Sequence, residues 1–162
     1  MLLEDINKYL MGQASVETIG FMCGNAHVDL DVYIHLQTLA RVTPVMWANT
    51  AVIRMHRQID PVSRYADRLS NPELFYIAQK LVNRQYQKGN TRFFCYVYQE
   101  LNFIKGKFSL FDFQEACLGY IYENKNKMSE YLIRSGGKKN QREALKLGVT
   151  ELSEMYLGNN KN

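Results

Sequence analysis

His27, Asp29, Asp31, Tyr33 and His35 occupy every second position of the run from His27 to Gln37, the densest gathering of reactive side chains in the chain. Imidazole and carboxylate together suit zinc, manganese or iron, whereas a pair of carboxylates suits a hard cation such as magnesium. Val28, Leu30, Val32, Ile34 and Leu36 fill the alternate positions, which is the period of a half-buried strand. On such a strand His27, Asp31 and His35 share a face, but they are spread too far along it for one ion. On a helix they would align at i, i+4 and i+8. The favoured reading of the row is a solvated polar face with local ion pairing. His27, Asp29, Asp31 and His35 are retained as candidate metal ligands, and no cofactor is expected.

The element that must carry this row is read as the second strand of a hairpin over residues 15–37, turned at Gly24-Asn25. Its rival is a helix over 26–41 with Val28, Val32, Leu36 and Leu39 as its seam. Phe21-Met22-Cys23-Gly24 leading to Asp29-Leu30-Asp31-Val32 resembles the nucleotidyltransferase core, a strand, a Gly turn and an Asp-x-Asp strand. That resemblance implies magnesium held by Asp29 and Asp31 against a triphosphate. The family's Gly-Ser pair is missing, the loop is short for a triphosphate, and a third carboxylate is not evident.

Around this segment the expected fold is mainly α, a compact bundle or stack of antiparallel helical hairpins, forming one domain over 1–158 with a frayed tail at 159–162. Leu2, Leu3, Ile6, Tyr9 and Leu10 predict a short opening helix that stops at Gly12. All three prolines follow an N-cap residue, as Thr43-Pro44, Asp60-Pro61 and Asn71-Pro72, so each marks a helix start. The helices expected there run over about 44–59, 61–69 and 72–88, the last closing at Gly89. Thr91 caps a further helix through Phe94, Val97, Tyr98, Leu101 and Ile104 to Gly106. Ser109 with Asp112 has the form of a capping box, with Phe108 and Phe113 placed to staple it. A shorter helix around Met128 and Tyr131 ends at Gly136-Gly137, and Asn140 with Glu143 opens the last. Gln87-Lys88-Gly89-Asn90 followed by Tyr98, and Leu118-Gly119 with Tyr122, resemble pieces of tetratricopeptide repeats. They set no period, Phe94 stands where that repeat places a small residue, and no family is assigned.

Charge is distributed unevenly. Residues 1–31 carry Glu4, Asp5, Glu17, Asp29 and Asp31 against Lys8, while residues 41–88 are rich in Arg and Lys. Arg54 and Arg57, then Arg64 and Arg68, fall at helical spacing on two successive expected helices and predict a cationic patch. Rings are concentrated between Tyr86 and Tyr122, interleaved with Arg84, Lys88, Arg92, Lys105 and Lys107. Phe94, Tyr98, Phe113 and Tyr120 fall on the expected core seams, whereas Phe93, Tyr96, Phe103 and Phe111 lie off them and mark a contact surface. Ser135 to Lys139 has the composition of a phosphate cradle without P-loop spacing, and reads as a linker. Cys23, Cys95 and Cys117 form no CxxC pair and read as buried reduced thiols.

No leader or membrane-spanning run is evident, and the expected setting is the cytoplasm. These readings favour a non-enzymatic regulatory or adaptor domain contacting a protein partner through Arg54, Arg57, Arg64, Arg68, Phe93, Tyr96, Phe103 and Phe111. Nucleic acid is the alternative partner, held by those arginines with Arg84 and Lys88 and without sequence preference. A metal-dependent activity at Asp29 and Asp31 is the enzyme alternative. No membrane contact is expected, and the oligomeric state is open.

Overall fold

The computed structural model describes residues 2–3, 20, 33–35, 38–136 and 140–158. The chain divides into two compact units, Met1–Thr50 with Ile59–Leu69, and Ala51–Gln58 with Ser70–Asn162. Helices dominate, but a three-stranded antiparallel sheet makes the fold mixed α/β rather than purely a bundle. Among the described residues, no helix is long and apolar enough to cross a membrane.

In the first unit Leu2–Leu3 forms strand β1, paired in parallel with Tyr33–Ile34, strand β2. The opening helix expected from Leu2 is therefore absent at Leu2 and Leu3. Tyr33 and Ile34 follow the strand reading of the alternating run, while the rest of the expected hairpin lies outside the described residues. Thr43 caps the short helix α1, Pro44–Ala48, by accepting from the Met46 amide at 3.3 Å. Asp60 does not cap: the segment Val62–Arg68 is a 3-10 helix entered from Pro61, and Asp60 accepts instead from the Thr38 hydroxyl.

In the second unit the helix expected over 44–59 gives way to strand β3, Val52–Met55. The helix expected over 91–106 is a hairpin of β4, Cys95–Tyr98, and β5, Phe103–Gly106, with Asn102 in the left-handed region at φ 53°. The physical reason is the period. Phe93 to Tyr98 is a run of aromatic and other strand-favouring residues in which Phe93, Cys95 and Val97 are buried and their neighbours are not. The order is β3-β4-β5, with Arg54 opposite Tyr96 and Tyr96 opposite Lys105. Beyond β5, Leu157 bridges to Ile104.

Helix α2, Pro72–Gln87, packs under the sheet. Asn71 caps it by accepting from the Leu74 amide, and Leu74, Ile77, Ala78, Leu81 and Val82 line its buried stripe. Helix α3, Leu110–Glu123, starts from the capping box expected at Ser109 and Asp112, and the Phe108 and Phe113 rings stack at 5.6 Å as the staple. Helix α4, Lys125–Arg134, and helix α5, Gln141–Tyr156, complete the unit. Asn140 makes no side-chain cap; its amide donates to the Ser135 carbonyl. Gly148 of α5 lies where an added Cβ would come within 2.7 Å of the Tyr131 ring and 2.8 Å of Ile121, so α5 approaches α4 and α3 closely at that point. Cys95 and Cys117 are free and fully buried, and burial pushes both thiols up to about 12. Cys23 lies outside the described residues.

Candidate macromolecular interface

Pleating sorts the sheet into two faces. Ile53, Met55, Cys95, Val97 and Ile104 belong to the face that packs on α2, and Met55, Cys95, Val97 and Ile104 are buried. Their neighbours in register, Arg54, Tyr96, Tyr98, Phe103 and Lys105, therefore stand on the outer face with Val52. Arg54 and Lys105 are exposed, and Tyr96, Tyr98 and Phe103 are half-buried. Just before β4, Phe94 joins this row.

The outer side chains form a continuous series. The Arg54 guanidinium lies 3.8 Å above the centre of the Phe94 ring, a cation-π contact. Phe94 meets His56 at 5.4 Å between ring centres and Tyr96 edge-on at 5.4 Å. The Tyr98 and Phe103 rings stack across the β4-β5 turn at 4.4 Å. Arg57, beyond the end of β3, lies 4.0 Å over Tyr86 of α2. No carboxylate among the described residues pairs with Arg54, Arg57 or Lys105.

Other sequence candidates are placed differently. Arg54 and Arg57 are strand and strand-end residues of the second unit, whereas Arg64 and Arg68 lie on the 3-10 helix of the first, where Arg68 stands 5.7 Å over Tyr65. Of the two successive helices expected to carry the four arginines, the second forms, as a 3-10 helix with Arg64 and Arg68, whereas strand β3 replaces the first at Arg54. Arg84 and Lys88 pair with Glu115, at 2.6 Å, and with Asp112, and Lys80 pairs with Glu123, so these cations join α2 to α3. Phe93 is buried against the core face, in edge contact with Phe108. Phe111 is 61% exposed at the start of α3. His35 is exposed, and His27, Asp29 and Asp31 lie outside the described residues. Among the described residues, no group of three His, Cys, Asp or Glu side chains is arranged to hold a metal ion.

A second polar cluster surrounds Glu73, on the first turn of α2. Tyr156 donates to its Oε1 at 2.8 Å, Tyr120 donates to its Oε2 at 3.0 Å, and the Lys127 ammonium lies 3.0 Å from Oε2. Asn71 and Asn124 donate in turn to the Tyr156 and Tyr120 hydroxyls. Burial, reinforced by the Glu73 charge, raises both phenols, Tyr156 to about 12. Glu73 is thus held by three donors and the start of its helix, an arrangement that joins α2, α3, α4 and α5 and leaves little capacity for a reacting group.

Sequence reasoning missed Phe94, Tyr98 and Lys105 as outer-face residues. The period-two pattern of residues 93–98 carried that signal. Nothing in the local sequence marked Glu73, because its partners come from three other helices. No family model matches the chain, and no curated protein or solved structure shows significant similarity to it.

Proposed function

We propose that the protein is a non-enzymatic binding domain, regulatory or adaptor in kind, that engages a macromolecular partner through the outer face of its three-stranded sheet. The observation that supports this is the row of Phe94, Tyr96, Tyr98 and Phe103, with Tyr96 set between Arg54 and Lys105, cations without a carboxylate partner among the described residues. An exposed cation-π contact such as that of Arg54 on Phe94 is worth only about 0.5–1 kcal/mol, so the charge remains available to a partner. Rings offer large contact area at small cost in side-chain entropy.

A second reading, contact with a protein through α3, is supported by Phe111 and Tyr122, 61% and 55% exposed. They stand about three turns apart and so share one side of the helix. Capture from lysate by the immobilised chain, with and without nuclease, tests both readings. Charge reversal of Arg54 and Lys105 to Glu is expected to abolish recovery of the partner while the circular dichroism spectrum stays unchanged. Undiminished recovery by that variant removes the sheet face from the argument, and loss of recovery on Phe111→Ser in its place moves the contact to α3.

A further inference from the structure

Building on the reading of the outer sheet face as a binding surface, we propose that its occupant is single-stranded nucleic acid, with bases stacked on the aromatic row and phosphates neutralised by Arg54 and Lys105. Phe94, Tyr96 and Tyr98 alternate along one strand direction, so their attachment points are about 6.7 Å apart, comparable to the reach of one extended nucleotide. Arg54 covers one face of Phe94, and Tyr98 and Phe103 cover one face of each other, so the row offers bases its remaining ring faces, without discriminating between bases. Cross-strand pairing places Arg54 and Lys105 on either side of Tyr96, so a base lying on that ring has a cation on both flanks. The strand ends Met55, Cys95 and Gly106 also lie side by side. Exposed Arg57, Arg92 and Lys107 follow or precede those ends closely, so positive charge continues past the rings.

Duplex nucleic acid hides its base faces in the stack, whereas a strand exposes them, so a ring-bearing face favours the single-stranded form. A protein partner is the weaker match. Lysine is depleted from the centres of protein interfaces, and here Lys105 stands opposite the central ring.

The test is fluorescence anisotropy of the full chain with a labelled oligothymidylate, a labelled oligouridylate and a duplex of matched length, across a salt series. Binding of the single strands in preference to the duplex is expected, with a log-log salt slope of about −1.4 for the two phosphate contacts of Arg54 and Lys105. Tyr96→Ala is expected to weaken binding about tenfold or more, Tyr96→Phe to retain it, and Arg54→Gln to flatten the salt slope by about one contact. Tyr96→Phe keeps the ring and so guards against loss of fold. Absence of oligonucleotide binding by the folded wild-type chain at low salt overturns the inference, as does equal binding by Tyr96→Ala. If no oligonucleotide binds yet nuclease-treated lysate still yields a protein that the Arg54 and Lys105 reversals release, this inference fails and the binding-domain reading stands. If neither is seen, both fail.

Discussion

The Glu73 cluster and the outer sheet face both bring aromatic rings against charge within the second unit, and they differ in how that charge is matched. Around Glu73 one carboxylate meets two phenols and an ammonium, and the phenols are themselves supplied with donors by Asn71 and Asn124. On the sheet, Arg54 rests on a ring and Lys105 faces Tyr96 across the ladder, with no carboxylate to meet either among the described residues. A closed cluster lowers the energy of the fold and has little left to offer a ligand. An open one contributes little to stability and retains its charge for a partner.

Breaking the closed cluster should have the larger effect on stability. Glu73→Ala leaves two part-buried phenols and the Lys127 ammonium without their acceptor, and should cost about 2–3 kcal/mol in urea unfolding while leaving partner capture intact. A cost under about 0.5 kcal/mol would show that water replaces the carboxylate. Gly148→Ala, beside the same helices, should cost about 1–3 kcal/mol by pushing Tyr131 and Ile121 away from α5.

Alkaline titration sharpens the same contrast. Burial holds Tyr131 and Tyr156 at about 12, against the ordinary 10.0. A raised folded value means that the unfolded chain loses those protons first. The stabilisation is therefore complete below pH 10 and is lost as pH rises towards 12. Phenolate absorbance should accordingly show some tyrosines ionising late, together with loss of structure.

At the acid end, hydrogen bonding from Lys88, and secondarily from Ser109, holds the Asp112 carboxyl at about 2, below its ordinary 3.8. A lowered folded value makes the stabilisation present above pH 3.8 and lost as pH falls towards 2. Asp112→Asn should cost about 1 kcal/mol, by weakening the cap and the Lys88 pair, and should flatten the stability profile in that window. The smallest change in stability is expected for Arg54→Gln, within about 0.5 kcal/mol, with the loss confined to binding. A larger unfolding effect would place Arg54 with Glu73 among groups that hold the fold.

Much of the helical half was legible. The Asn71-Pro72 start, the Gly89 stop, and the Ser109 and Asp112 box with its phenylalanine staple arise from contacts within a few residues, and the buried stripes of α2 and α3 follow the helical period. Asn140 departed from this because its side-chain amide donates to the Ser135 carbonyl instead of capping. The sheet was misread for the opposite reason. Val52, Ile53 and Met55, like Phe94, Val97 and Tyr98, satisfy a helical seam as well as a strand, and a short apolar run carries both periods.

The sequence alone determined the Asn71 start and Gly89 stop of α2 and the Ser109 start of α3, the buried, reduced state of Cys95 and Cys117, and a concentration of rings and cations between Tyr86 and Tyr122. Tertiary structure decided which of those rings face outward and which of those cations remain uncommitted. Strand β3 gains its backbone partners in β4, far along the chain, so the strand period prevailed and exchanged Phe93 for Phe94 and Tyr98 on the outer face. Arg84 and Lys88 found carboxylates on α3 by the same long-range packing, while Arg54 was set on the Phe94 ring and Lys105 opposite Tyr96. Caps and stops are decided by neighbours in sequence; pairing and exposure are decided by neighbours in space.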